Sequence, residues 1–292
     1  MNLEEQTLVD TLLDTLLDTL KLIPFLFLTY LLMEFIEHKT SDKAEHIIKK
    51  AGRFGPVLGG LLGIVPQCGF SASAASLYSG HLISLGTMVA IFLSTSDEML
   101  PIFLSEQVSP SVIGKILGVK AATAIILGLI VDIVIHIAKK DKKEVEIHSI
   151  CEHDHCHCEE GILKSAIHHS AHITAFIFII SLILNFVIYF IGEENLGKLF
   201  VDIPVLGCGV ASLVGLIPNC AASVVITELF LNGVISTAAM ISGLLTGCGI
   251  GLLVLFRTNK NFKENLAITL LMYLLGVGAG VIFELIGFII PV

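Results

Sequence analysis

The sequence predicts an all-α polytopic membrane protein with about ten transmembrane or re-entrant segments, arranged as two inverted five-segment repeats with broken helices at the midplane. Three observations predict this fold. The chain is 54% hydrophobic and 15% charged, with a mean hydropathy of +0.89, whereas a soluble domain has about 45–50% apolar and about 25% charged residues. The apolar residues form long runs, which indicates membrane helices. The two halves of the chain also resemble each other.

Eight apolar runs are separated by short polar loops. Prolines interrupt two of these runs near their centres, at Pro66 and Pro218. Each interrupted run is either two short crossing segments or one re-entrant hairpin, and counting each as two gives five segments per half. The runs are 18–37, 54–79, 83–105, 111–138, 166–192, 203–231, 235–256 and 265–290.

The repeat has a constant offset of 152 residues. It pairs GLIPNCAAS at 215–223 with GIVPQCGFS at 63–71. It also pairs Ser94 with Thr246 and, near the end of each half, Asp132 with Glu284. We therefore predict a first membrane repeat over 1–138, a cytoplasmic His/Cys-rich loop over 139–162 and a second, inverted repeat over 163–292.

Lysine and arginine predict the orientation. They are concentrated in the loop 38–53, at the start of the central loop and in the loop after residue 256. Positive loops face the cytoplasm, so the central loop is expected inside and both termini outside. The first residues, MNLEEQTLVD, are acidic where a secretory signal would be basic. The expected location is a bacterial-type inner membrane that the chain crosses several times.

The two prolines mark the predicted substrate site. Proline lacks an N–H and frees backbone carbonyls, which are tolerated at membrane depth only inside protein or beside a wet cavity. Amide, thiol and hydroxyl groups follow each proline, and the repeat-related hydroxyls of Ser94 and Thr246 lie within the next apolar run of each half. The alternative is a kinked helix with packed polar side chains. The predicted substrate-binding residues are Gln67, Cys68, Ser71, Ser94, Asn219, Cys220, Ser223 and Thr246.

Acidic residues at membrane depth predict a path for protons. Asp97 and Glu98 are adjacent inside the run 83–105, and burial with mutual repulsion raises the pKa of such a pair. The alternative places them at a helix end near the outer surface. The full set of proposed coupling residues is Asp97, Glu98, Asp132, Glu284 and Glu34.

The central loop predicts a metal-collecting segment. Imidazole and thiolate suit zinc, copper and other transition ions, although the spacing matches no tetrahedral zinc module. No cofactor is required, but a bound zinc-like transition metal is expected. The alternatives are a solvated tract and, for the two histidines outside the loop, interfacial residues. The predicted metal ligands are His148, Cys151, His153, His155, Cys156, His157, Cys158, His168 and His172.

These motifs resemble those of the ten-transmembrane heavy-metal exporters, also called arsenic-permease-like or arsenic efflux proteins. The resemblance spans nearly the whole chain, and VPQCGFS and STSDEM are its most specific parts. It implies a multi-pass membrane protein that exports a metal or metalloid.

We therefore predict a secondary transporter that exports a zinc-like cation or arsenite, coupled to protons or to the membrane potential, with a slight preference for a divalent cation. No G-x-x-x-x-G-K-[ST] loop for ATP and no H-E-x-x-H enzyme motif occurs. The net charge of −9 leaves no basic face for nucleic acid. The expected partners are the transported ion and the lipid bilayer, and a homo-oligomer stays open. The rival functions are a carrier of small organic solutes with an incidental or regulatory metal loop, and a metal sensor that transports nothing.

Overall fold

The computed structural model describes residues 54–65, 68–96, 99–138, 162–191 and 204–290, together with residues 12, 13, 15–17, 19–24, 26–28, 30 and 31. Every regular element in these ranges is a helix. The predicted all-α polytopic fold is confirmed. The central loop, and with it seven of the predicted metal ligands, lies outside the described residues.

Two series of helices follow each other along the chain. The first is α1 (Gly55–Leu62), α2 (Cys68–Ser79), α3 (Leu85–Ser94), α4 (Met99–Ser105) and α5 (Pro110–Ala138). A long helix, α6 (Ile162–Ile191), precedes the second series. That series is α7 (Pro204–Gly215), α8 (Cys220–Leu231), α9 (Thr237–Thr246), α10 (Gly251–Thr258) and α11 (Phe262–Ile286). Helices α8 and α9 begin and end 152 residues after α2 and α3 respectively.

The run 54–79 folds back on itself as a hairpin. A Cβ placed on Gly55 or Gly59 of α1, or on its C-cap residue Gly63, would contact Thr87, Ile91 or Ser94 respectively, so α1 and α3 run in the same direction. Helix α2 runs the opposite way, because residues 80–84 join its last residue to the start of α3. The chain therefore leaves the hairpin at the end where it entered.

The run 203–231 forms the corresponding hairpin. Ser212 of α7 lies beside Ser242 of α9, with 2.6 Å between their Oγ atoms, and Gly215 lies against Thr246. Helices α7 and α9 are therefore parallel. Helix α8 is antiparallel to α9, because Ile226 lies against Gly243 while residues 232–236 form the short connection between them. The sequence did not decide whether the two interrupted runs cross the membrane twice or form re-entrant hairpins. These contacts favour re-entrant hairpins in both halves.

Each hairpin packs against the other half of the molecule. Ser71 of α2 lies beside Gly251, the first residue of α10. At the last residues of the two helices, the hydroxyls of Ser79 and Thr258 are 2.7 Å apart. Helices α2 and α10 are therefore parallel. Since α2 is antiparallel to α3, the broken pairs α3–α4 and α9–α10 run in opposite directions.

The broken pairs form the centre of the molecule, and the long helices surround them. In the most apolar 18-residue stretch of Thr237–Thr258, 83% is buried inside the protein. The corresponding share for Pro110–Ala138 is only 22%. Among the described residues, five helical stretches are long and apolar enough to cross a membrane: Leu85–Ser105, Pro110–Ala138, Ala166–Ile183, Thr237–Thr258 and Phe262–Ile286. The exposed isoleucines and leucines of α5 and α11 suit a lipid environment.

Candidate substrate site

A small cavity lies where the breaks of α3–α4 and α9–α10 meet the start of α8. Both halves contribute to its wall, and most of the lining groups are backbone turns, hydroxyls or small side chains. Discontinuous helices of this kind form the substrate sites of many secondary transporters. The lining residues are Thr95, Ser96, Met99, Lys120, Asn219, Cys220, Ala222, Ser223, Leu244, Gly247 and Gly249.

The end of α3 supplies the first wall. Thr95 is its C-cap residue, and its hydroxyl donates to the carbonyl of Ile91 at 2.7 Å. The hydroxyl of Ser96 donates to the carbonyl of Ser94 at 3.0 Å. These side chains turn back onto the helix, whereas the carbonyl of Thr95 accepts a hydrogen bond from another helix.

That partner is Lys120 of α5, which is only 2% exposed. Its Nζ donates to the carbonyl oxygen of Thr95 and lies 3.3 Å from the Ser96 hydroxyl. An ammonium group beside the C-terminal end of a helix is favoured by the helix dipole. The lysine therefore places a cationic group in the wall of the cavity.

The start of α8 supplies the second wall. Asn219 is the N-cap, and its side-chain oxygen accepts a hydrogen bond from the backbone N–H of Ala221 at 2.9 Å. Cys220 follows as the first helical residue and is half-buried. The Ser223 hydroxyl donates to the carbonyl of Cys220 at 2.8 Å. A thiol and the positive end of a helix dipole thus lie in the wall of the cavity.

The end of α9 supplies the third wall, mainly through backbone. Gly247 is its C-cap. The neighbouring Thr246 is fully buried, and its hydroxyl donates to the carbonyls of Ser212 and Gly243, both at 2.9 Å. Cys248 is also buried and lies 3.1 Å from the carbonyl of Thr246. These two side chains hold the break in shape.

The predicted substrate residues fall into three groups. Asn219, Cys220 and Ser223 line the cavity. Ser94, Thr246 and Ser71 are buried next to the breaks and do not line it. Gln67 and the side chain of Cys68 lie outside the described residues, so their share in the cavity stays a prediction.

The predicted coupling acids are also divided. Asp97, Glu98 and Glu34 lie outside the described residues. Asp132 accepts hydrogen bonds from the Ser84 hydroxyl at 2.7 Å and from the backbone N–H of Gly86 at 2.8 Å. Glu284 accepts one from the Ser236 hydroxyl at 3.0 Å. These repeat-related acids therefore bind the starts of α3 and α9, whereas the cavity lies at the ends of those helices.

His168 and His172 are exposed on α6, with ring centroids 4.6 Å apart. Within the described ranges, no group of three or more His, Cys, Asp and Glu side chains could hold a metal ion. A metal site at this histidine pair would need a further ligand from elsewhere.

Lys120 was missed by the sequence reasoning. Its signal was available, because a lysine within an apolar run of 28 residues, 111–138, is rare at membrane depth and marks function. The residue at the repeat-related position is the apolar Met272, so the repeat does not mark Lys120.

The described residues define an all-helical polytopic membrane protein with a polar cavity between two broken helices, an arrangement that many secondary transporters share. The comparison with family models identifies the family. The model described as "Putative, 10TM heavy-metal exporter" matches residues 5–159 and 133–256, and the chain belongs to this family. The resemblance inferred from VPQCGFS and STSDEM is therefore confirmed. Comparisons with curated proteins and with solved structures find no significant match.

Proposed function

We propose that the protein is a secondary transporter that exports a heavy-metal ion or a metalloid through the cavity between the two breaks. The observation that carries the proposal is the position of the Cys220 thiol, which lies in this cavity beside the Asn219 cap and the Ser223 hydroxyl. Thiols bind soft and borderline metals and arsenite. Zinc-like cations and arsenite both stay candidate substrates.

The arrangement of the helices supports transport rather than static binding. Oppositely directed halves around a central site can expose that site to each membrane face in turn. The proposed orientation has the basic loops and the central His/Cys loop in the cytoplasm of a cell with a bacterial-type inner membrane. The loop would collect metal on that side, and Asp97 and Glu98 are the proposed proton carriers. A proton gradient or the membrane potential would supply the energy.

The test is transport by the purified full-length protein in proteoliposomes, with zinc, copper(I), cadmium and arsenite offered separately. We expect flux of at least one of them, and Cys220→Ala should reduce that flux at least about tenfold because the cavity loses its thiol. Cys208→Ala is the matched control, since Cys208 is buried outside the cavity, and its flux should stay near wild type. If the folded protein transports none of the four species, the export proposal is wrong.

The second candidate, a carrier of small organic solutes, is favoured by the ammonium group and the amide in the same cavity. Such a carrier would move its solute whether or not residue 220 is a cysteine. Flux of an organic solute that Cys220→Ala leaves unchanged, without flux of metals or arsenite, would decide for it.

A further inference from the structure

A hydrogen-bonded contact joins the two halves beyond one side of the cavity. Helix α10 begins at Gly251, two residues after Gly249 of the cavity wall, and Ser71 of α2 lies against this start. The two helices then run side by side for about two turns. They end at Ser79 and Thr258, whose hydroxyls are 2.7 Å apart. The interface of α2 with α10 therefore leads from the level of the cavity to one end of the molecule.

The second half holds its side of this contact as one unit. The Tyr78 hydroxyl donates to Glu264, in the first turn of α11, at 2.5 Å. The neighbouring Asn265 is buried, and its Nδ2 donates to the carbonyl of Asn259, which follows α10, at 2.7 Å. Because this bond ties the end of α10 to α11, Glu264 and Thr258 are held together. Helix α2 is the separate element that meets them.

An aromatic contact joins the halves beyond the other side of the cavity. Met99 of the cavity wall begins α4, and Phe103 lies one turn further along that helix. Ser223 of α8 also lines the cavity, and Phe230 lies two turns further along. The two rings are 6.5 Å apart in an edge-on arrangement, and both side chains are buried.

The two contacts lie toward opposite faces of the membrane and differ in their chemistry. The broken pairs run in opposite directions, so α10 leads from the cavity to one face and α4 leads to the other. In the proposed orientation the end of α10 is cytoplasmic, because the loop after residue 256 is basic. The side chains of the polar contact are half-buried, and water can replace their hydrogen bonds when the helices separate. Separation of the aromatic contact would expose apolar rings to water.

We propose that the contact of α2 with α10 and α11 is the gate through which the cavity opens to the cytoplasm. Separation of α2 from α10 breaks the hydrogen bonds of Tyr78 and Ser79, while the contact between Phe103 and Phe230 keeps the opposite side closed. The different chemistry of the two contacts lets one side open without the other. The inference rests on the proposed function in taking the cavity as the substrate site.

The first measurement is the access of a membrane-impermeant maleimide to a reporter thiol in the cavity wall, introduced by Ser223→Cys. The full-length protein is placed in sealed vesicles, the reagent is added to one face at a time, and mass spectrometry reads modification at residue 223. Tyr78→Phe should raise the labelling rate from the cytoplasmic face about tenfold, because loss of a hydrogen bond to a carboxylate increases the open population. The rate from the other face should stay unchanged. Tyr273→Phe is the matched control and should change neither rate.

A disulfide across the gate tests the reverse effect. Ser79→Cys with Thr258→Cys places two thiols where the hydroxyls are 2.7 Å apart, which is close enough for a disulfide. Oxidation should lower labelling of the reporter from the cytoplasmic face, and reduction should restore it. Ser212→Cys with Ser242→Cys joins two helices within the second half, where the hydroxyls are 2.6 Å apart. This control pair should leave both rates unchanged.

Two further variants make the result specific to each side. Thr258→Val removes the second hydrogen bond of the gate and should act as Tyr78→Phe does, also if that variant fails to fold. Phe230→Ala should raise labelling from the opposite face alone.

The proposal is overturned if the two gate variants raise labelling in any pattern other than from the cytoplasmic face alone, or if they raise it from neither face. It is also overturned if the disulfide leaves cytoplasmic labelling unchanged. Because the assay needs no transported species, the gate can be supported while the export proposal fails. Flux that continues after oxidation of the disulfide would instead refute the gate and leave the export proposal intact.

Discussion

At the residue scale, Asp132 and Glu284 show how a structural role can resemble a functional one in sequence. Both are acids at membrane depth and both recur at the repeat offset. In the structure each accepts a hydrogen bond from the N-cap serine of a central helix, Ser84 of α3 or Ser236 of α9. Each serine in turn accepts from a backbone N–H of the first helical turn at 3.1 Å. The symmetry of the acids therefore follows from the symmetry of two helix starts.

Asp132→Asn tests this role. We expect a loss of about 1–2 kcal/mol in the free energy of unfolding, because the carboxylate accepts from both Ser84 and the backbone of Gly86, while the pH dependence of transport stays unchanged. Thermal unfolding in detergent and flux in proteoliposomes at several pH values measure the two effects. Glu106→Gln, in the exposed loop before α5, is the control. A shifted pH profile would instead support the predicted coupling role of Asp132.

Three of the eleven residues that line the cavity were predicted from the sequence, for a clear physical reason. Asn219, Cys220 and Ser223 follow a proline that breaks an apolar run, and polar groups near such a break must line a cavity or be buried in protein. The residue that the repeat pairs with Lys120 is the apolar Met272, so repetition could not identify Lys120. Thr95 contributes through its backbone carbonyl, and side-chain identity alone does not predict that contact.

At the element scale, the two hairpins are secured in different ways. The end of α2 is tied to the second half by hydrogen bonds, from the Tyr78 hydroxyl to Glu264 at 2.5 Å and between Ser79 and Thr258. The end of α8 meets the first half through Phe230 and Phe103, whose rings lie 6.5 Å apart in an edge-on arrangement. Polar contacts thus join the two halves at the end of α2, and an aromatic contact joins them at the end of α8.

Tyr78→Phe should loosen the polar end. Loss of a hydrogen bond to a carboxylate costs about 1.5–3 kcal/mol, so we expect a lower unfolding temperature and faster amide hydrogen exchange in residues 79–84. Tyr273→Phe is the matched control, because Tyr273 is half-buried on α11 and makes no hydrogen bond to the described residues that involves its hydroxyl. Equal exchange rates in Tyr78→Phe and wild type would show that this contact does not hold α2.

The hairpin form of the interrupted runs depends on contacts that are distant in sequence. Pro66 and Pro218 predict where the chain bends, but a kinked crossing and a re-entrant turn have the same local pattern. The direction of α2 is set by its packing on α10, about 180 residues later. Only the assembled structure provides that information.

At the scale of the whole molecule, the described halves pack directly on each other, through α2 with α10, α4 with α8 and α3 with α9. None of these contacts involves the central loop. Deletion of residues 148–158 should therefore leave folding and substrate flux intact at saturating substrate, while stoichiometric metal binding by the purified protein falls. Equilibrium dialysis with zinc and the proteoliposome assay measure the two quantities. Loss of flux at saturating substrate would make the loop part of the transport path.

The packing of α2 on α10, a helix of the second half, also affects how the molecule is made. Helix α2 ends at Ser79, but the helix that covers it ends at Thr258. At about 5–20 residues per second, a ribosome needs roughly 10–35 seconds to make the intervening chain. During that time the serine-rich face of α2 lacks its partner within the bilayer. Helix α2 can therefore reach its final packing only after α10 has been made.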